Sequence, residues 1–140
     1  MKIIILKGIP ASGKSTWSKD FVKNNPDYTR TNKDEIRIEL GSKEKPCRNE
    51  NRVIARRNEL IYEALNNGKS VIVDDTNLNP IHEKCIKQIA FEMQQKLGNP
   101  IDVEIKLFEI SLSEAIERDS KREARVGEAT IRRMYKQLND

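Results

Sequence analysis

The sequence predicts an α/β fold of the doubly wound kind, a parallel sheet of about four strands flanked by helices, on two features of its patterning. Short apolar runs suited to strands alternate with longer segments of helical period along the chain. The first run, Ile3 to Leu6, is continuously apolar, as a strand covered by helices on both faces must be. With 140 residues, 34% charged and 36% hydrophobic, the chain has the size and composition of one folded domain over residues 1 to 140.

Each element follows in order. Gly8, Pro10 and Gly13 end the first strand, and a helix is expected from 14 to about 24. "DYTRT" reads as a short second strand, "DEIRIEL" as a short helix and "GSKEKPCRN" as a polar loop. Residues 50 to 66 set Val53, Leu60, Ile61, Ala64 and Leu65 on one helical stripe and leave Arg52 and Arg56 one turn apart on another. Gly68 ends that helix and "SVIVDD" forms the third strand. Asn79 as N-cap and Pro80 in the first turn open a helix to about 97, where Gly98 and Pro100 stop it. "IDVEIKLFEI" alternates, which predicts an edge strand with Ile101, Val103, Ile105 and Leu107 inward. Helices over 113 to 121 and 129 to 138, separated by the charged "REARVGE", complete the pattern.

The bulk properties exclude several classes. A net charge of +4 suits an anionic partner without demonstrating one. Cys47 and Cys85 lack disulfide or metal spacing, and "MKIIILKGIP" holds too short an apolar run for a signal peptide, so a cytoplasmic location is expected. No apolar stretch is long enough to cross a bilayer. A single histidine, His82, builds neither a zinc site nor a nucleophilic triad; it, Trp17 and both cysteines read as packing or surface residues.

Gly8-Ile-Pro-Ala-Ser-Gly13-Lys14-Ser15 satisfies G-x-x-x-x-G-K-[ST] in full, after a buried strand and at the opening of a helix. There the glycines let successive backbone N–H groups face phosphate oxygens, and the helix N-terminus adds its positive end. A nucleoside triphosphate is the expected ligand, held by Gly8, Ser12, Gly13, Lys14, Ser15 and Thr16. Lys14 would bridge the β- and γ-phosphates and the Ser15 hydroxyl would ligate Mg²⁺.

A GTPase is disfavoured, since Asn32-Lys33-Asp34-Glu35 ends in glutamate where N-K-x-D needs aspartate, lies too close to the loop and has no D-x-x-G beside it. "VIVDD" resembles the acid-terminated strand of a motor ATPase, machines that need considerably more chain. Strand alternation separates Asp74 from Asp75, so one acid is expected to meet the phosphates, and Asp75 is favoured; capping of the turn "DDTNLNP" competes as its role. Thr31-x-x-Asp34 and Asn32-x-x-Glu35 both fit capping boxes. Yet Asp34 and Arg37 stand three apart on one helix, at the strand-end edge where ligands of open α/β sheets lie. A carboxylate there can take an acceptor hydroxyl's proton, and an arginine beside it can hold an anionic group, which describes a phosphotransferase acceptor site. Arg118 and Arg122, one turn apart in "RDSKREAR", either neutralise a transferring phosphoryl group or line a solvated helix face.

Together, "GIPASGKSTW", "TNKDEIR", "VIVDDTNLNP", "RDSKR" and "IRRMYK" resemble the kinase module of phage-type polynucleotide kinase-phosphatase, most weakly between 41 and 67. The resemblance implies a P-loop fold similar to adenylate kinases and transfer of the ATP γ-phosphate to the 5′-hydroxyl of DNA or RNA. It implies ATP and Mg²⁺ on Lys14 and Ser15, Asp34 as general base, and Arg37 on the phosphate next to the acceptor nucleoside. Asp75 becomes an essential acid on the acceptor side. Arg118 and Arg122 belong to a lid, about 118 to 128, over the donor phosphates, with Arg122 and Lys14 counted as catalytic. The phosphatase signature D-x-D-x-[TV] that often accompanies this module is missing, so no phosphatase domain or 3′-end activity is expected. Single-stranded ends are the favoured acceptors, with neither membrane nor obligate protein partner. A P-loop kinase of a small hydroxyl metabolite or nucleoside, and a non-catalytic nucleotide-binding regulator, are the competing readings.

Overall fold

A computed structural model of the chain describes residues 1 to 123 and 125 to 139. Four parallel strands form one sheet in the order β2-β3-β1-β4: β1 (Lys2–Lys7), β2 (Tyr28–Thr31), β3 (Ser70–Val73) and β4 (Asp102–Leu107). Ile3, Ile5, Val71 and Val73 point to one face, where α3 (Glu50–Asn66) and α4 (Pro80–Leu97) bury them against Ile61, Leu65, Ile86 and Met93. Ile4, Leu6 and Ile72 point to the other, against Trp17, Phe21 and Val22 of α1 (Lys14–Asn24). The unbroken run of isoleucines is thereby explained, each fully buried one stabilising the fold by about 1.5–3 kcal/mol. A third cluster, Ile9, Ala115 and Ile131, seats α5 (Leu112–Ser120) and α6 (Glu128–Asn139) against the loop after β1.

The expected elements all occur, and α2 (Lys33–Leu40) fills the short helix after β2. The edge strand departs from expectation. Ile101 is buried and Val103 half-buried, but Ile105 and Leu107 are exposed and join none of the core clusters. Alternation gives the correct face, yet a face is buried only where something covers it. Here the core packed on β4 ends at Val103.

The chain leaves β1 towards β2 on one side and returns from β3 past β1 to β4 on the other, so the strand order reverses between β1 and β3. The carboxyl ends of β1, β2 and β3 meet there, at the crevice where open α/β sheets bind ligands.

Candidate active site

A cavity of about 610 Å³ opens at that crevice, its walls drawn from the loop after β1, the start of α2, the turn after β3 and the α5–α6 connection. The loop after β1 curls through left-handed backbone at Ala11 (φ 65°) and Gly13 (φ 96°), conformations that turn backbone N–H groups into a concave anion-binding surface. Ser12, Gly13, Lys14, Ser15 and Thr16 line the cavity. Gly8 stands behind it instead. A Cβ there would lie 2.9 Å from the Phe108 carbonyl oxygen, and the Gly8 N–H donates to the Thr76 carbonyl at 3.1 Å. Lys14 Nζ donates to the carbonyls of Gly8 (2.9 Å) and Ile9 (2.8 Å) and to Ser12 Oγ (3.3 Å). Burial lowers its pKa to about 8 against the upward pull of Asp74 and Asp75, an ammonium held ready for an anion.

Both acids after β3 reach the cavity, correcting the expectation that strand alternation would send one away. Regular strand ends at Val73, so the two-residue period no longer governs Asp74 and Asp75. Asp74 is buried; its Oδ2 accepts from Ser18 Oγ (2.8 Å) and from Arg30 Nε (2.9 Å), and Arg30 Nη2 stands 2.7 Å away as an ion pair. Asp75 Oδ1 accepts from the Lys33 N–H at 2.7 Å. Burial pushes the Asp75 carboxyl up to about 6, against the pull of Lys33 and Arg57. Asp74 Oδ1 and Asp75 Oδ2 are buried without hydrogen-bond partners among the described residues. Neither acid caps the turn; Asn77, left-handed at φ 49°, ties it to β1 through Nδ2 and the Leu6 carbonyl at 2.7 Å.

At α2 the cap belongs to Asn32, whose side chain accepts the Glu35 N–H at 3.0 Å while Nδ2 donates to the Asp74 carbonyl at 2.8 Å. Glu35 turns to Arg30 rather than back to the cap, so only half of a capping box forms. Asp34 is released from capping: its side chain is 86% exposed and its carboxylate pairs with Arg37 Nη1 at 2.7 Å. Arg37 Nη2 reaches Glu50 Oε2 at 2.8 Å, and Lys33 Nζ reaches Glu50 Oε1 at 2.9 Å. Burial would raise the Glu50 carboxyl, but the hydrogen bonds from Arg37 and Lys33 hold it at about 2. Burial opposes the Arg37 charge, and Glu50 and Asp34 outweigh it, raising its pKa.

Arg118, Arg122 and Val126 also line the cavity. Arg118 Nη2 pairs with Glu114 at 2.5 Å, and Arg122 Nη1 lies 3.7 Å from Asp119. Asp119, buried, accepts the N–H groups of Val126 and Gly127 at 2.9 Å each and so fastens the start of α6 to the end of α5. Within the expected lid segment, residue 124 lies outside the described residues.

Sequence patterning passed over Arg57, Lys33, Glu50 and Arg30. Arg57 is fully buried on the apolar stripe of α3 one turn from both Val53 and Ile61, where a hydrophobe would be expected; Leu60, placed on that stripe by periodicity, is only half-buried. That misplaced charge was the available signal. Its Nη1 lies 3.0 Å from His82 Nδ1 and its Nε 3.2 Å from Asn58 Oδ1. Burial, with Lys33 and Arg57 nearby, lowers the His82 pKa to about 4, so the ring is neutral at pH 7 and can accept from Arg57 through Nδ1. His82 is therefore a packing partner of Arg57, one of the two roles expected of it.

A parallel sheet with this loop and these facing acids and arginines defines a P-loop kinase domain. Residues 3–139 match a family model described as an AAA domain, and the chain belongs to that family. Among curated relatives, it is 28% identical over 155 residues to a putative bifunctional polynucleotide kinase/RNA ligase of Autographa californica nuclear polyhedrosis virus, covering 98% of this chain and 21% of that protein. It is 33% identical over 145 residues to the L-seryl-tRNA(Sec) kinase of Methanococcus maripaludis, covering 98% and 52%. The chain thus spans about half or less of these relatives. A chain of the Pnkp1/Rnl/Hen1 RNA repair complex superposes with a TM-score of 0.73 at 26% identity, covering 99% of this chain and 44% of that one. A gluconokinase from Sinorhizobium meliloti 1021 shares the fold, with a TM-score of 0.57 at 16% identity over 99% of this chain and 75% of that one. No helix among the described residues is long and apolar enough to cross a membrane.

Proposed function

We propose that the chain is an ATP-dependent polynucleotide 5′-hydroxyl kinase acting on DNA or RNA ends, single-stranded ends preferred. The observation that carries this is the pairing of Asp34 with Arg37 on a wall of the same cavity that Lys14 lines. The donor triphosphate lies on the loop residues Ser12 to Thr16, with Lys14 on its outer phosphates. Asp34 orients the acceptor hydroxyl and takes its proton while Arg37 holds the phosphate beside it. The acceptor oxygen bonds to the γ-phosphorus in line as the bond to the bridging oxygen breaks, and ADP leaves with that electron pair. Arg118 and Arg122 close over the donor and neutralise the charge that develops.

The residues fit a magnesium ion. Ser15 offers a hydroxyl at the cavity, and the free buried oxygens of Asp74 and Asp75 offer hard ligands directly or through water. Bound there, Mg²⁺ would draw charge from the phosphate oxygens; Ser15, Asp74 and Asp75 would hold it.

A second reading has its own support: the 33% identical relative is named a seryl-tRNA kinase, so the acceptor hydroxyl could sit elsewhere than a 5′ end. One experiment separates them. Full-length protein is incubated with γ-labelled ATP, Mg²⁺ and a short single strand bearing a 5′-hydroxyl, beside the same strand already 5′-phosphorylated. Label on the first alone is expected. Label on neither, with ATP still bound, would move the assignment to another hydroxyl acceptor.

A further inference from the structure

Glu50 has no part in the transfer chemistry, yet it holds two of the cavity's cations at once. It opens α3 from beyond the loop 41 to 49, and its two oxygens are divided between Lys33 Nζ (2.9 Å) and Arg37 Nη2 (2.8 Å). Both residues are also held from elsewhere, Lys33 through its backbone and Arg37 through its guanidinium. The Lys33 N–H is fixed on Asp75 Oδ1, and Arg37 Nη1 is fixed on Asp34. Two cations sharing the oxygens of one anion is also the arrangement by which proteins grip a phosphate. Lys33 and Arg37 line the cavity and their side chains are 14% and 26% exposed, whereas Glu50 approaches from the water side with 48% of its side chain exposed.

We infer that Lys33 and Arg37 together form the subsite for the phosphate flanking the acceptor hydroxyl, and that Glu50 fills this subsite until an incoming phosphate displaces it. Glu50 therefore sets how strongly phosphate-bearing acceptors are preferred. The assignment of the phosphate to a nucleotide acceptor rests on the polynucleotide 5′-kinase reading. An ion pair with a half-exposed carboxylate exchanges readily, so Glu50 acts as a competitor rather than a plug. A phosphate brings more oxygens and at least as much charge, which favours the exchange. If Glu50 only braced Arg37, its removal would weaken acceptor binding; as a competitor, its removal strengthens it. The signs are opposite.

The test compares wild type, Glu50→Gln, Lys33→Met and the double variant at saturating Mg²⁺-ATP. The acceptors are a plain nucleoside, its 3′-phosphate and a dinucleotide, and the readout is the kcat/KM preference for each phosphate-bearing acceptor over the nucleoside. Glu50→Gln should raise that preference roughly fivefold, the scale of an exposed ion pair, Lys33→Met should lower it, and Glu50→Gln should lose its effect in the Lys33→Met background. A response to both acceptors supports the subsite with a terminal phosphate sufficing; a response to the dinucleotide alone supports it with the internucleotide phosphate as ligand. A fall in preference for Glu50→Gln overturns the proposal. Should wild type phosphorylate none of the three, nor the single strand bearing a 5′-hydroxyl, the 5′-kinase reading fails by itself. The subsite is then judged by titrating nucleoside 3′-phosphate onto protein whose phosphate loop is filled with a non-hydrolysable ATP analogue: tighter binding to Glu50→Gln than to wild type supports it, and equal binding overturns it.

Discussion

Asp34 and Asp75 face one cavity under opposite constraints, and their substitutions should separate accordingly. Asp34 is exposed and carries no cap, so Asp34→Asn removes little but a proton acceptor and the charge beside Arg37. Its expected outcome is loss of phosphoryl transfer by 10²-fold or more, with ATP affinity within a few-fold of wild type, read by single-turnover rates beside equilibrium binding. Equal loss of both would return Asp34 to a structural role. Asp75 is buried and its carboxyl sits at about 6, above the ordinary 3.8. A pKa raised by folding means the fold favours the neutral acid, so its stabilising effect is complete below pH 3.8 and is lost as pH rises through 6. Asp75→Asn, which keeps an acceptor for the Lys33 N–H, should therefore make the ligand-free protein more stable than wild type by up to about 3 kcal/mol at pH 8, with the difference vanishing below pH 4. Urea melts at the two pH values measure it, and a less stable variant at pH 8 would show that Asp75 is held by a partner charge rather than merely buried.

Among the elements, the junction of α5 and α6 rests on one carboxylate. Asp119 accepts two backbone N–H groups at the start of α6, and Gly127 there adopts φ 101°, which a side chain would strain. Burial raises the Asp119 carboxyl, but those two N–H groups, with Arg122 and Arg125, outweigh it and lower the pKa, so its contribution is present at neutral pH and fades as pH falls into the acid range. Asp119→Ala should destabilise the protein by about 1–3 kcal/mol at pH 7, less at pH 3, and should raise the KM for ATP because Arg122 loses its anchor. Chemical denaturation at both pH values and ATP saturation curves test this, an unchanged KM showing that Arg122 is placed by other means. Elements were legible because the determinants are local: Asn79-Pro80 opens α4 and Gly98 closes it, as capping chemistry dictates. What escaped depends on distant neighbours. Ile105 alternates correctly but has no cover, Asp74 and Asp75 escape the strand period because the strand stops, and Arg57 is buried because His82 and Asn58 lie beside it. The site followed the same division. The motif placed Lys14 and Ser15 and helix spacing joined Asp34 to Arg37, whereas Glu50 meets Lys33 and Arg37 only through tertiary packing.

The whole molecule joins two apolar cores, one on each face of the sheet, to a polar crevice at the sheet's end that works against them. Lys14 is stripped of water there, and two carboxylate oxygens are buried without partners among the described residues, so folding assembles charges that remain incompletely satisfied. A ligand bearing phosphates and a divalent cation supplies what is missing, and binding to the folded state alone stabilises by mass action. At 100 times its dissociation constant, Mg²⁺-ATP should add about 2.7 kcal/mol and raise the melting temperature by several degrees. Removing Mg²⁺ with a chelator should shrink that shift if Asp74 and Asp75 meet the ion. Asp75→Asn then distinguishes the crevice's two demands: alone it should melt above wild type at pH 8, yet at the same total Mg²⁺-ATP it should gain less. Parallel melting curves of both proteins, with and without ligand and chelator, decide the matter. An equal ligand-induced shift in the two would mean that Asp75 is buried for reasons unrelated to the triphosphate and its metal ion, and would remove it from the donor machinery.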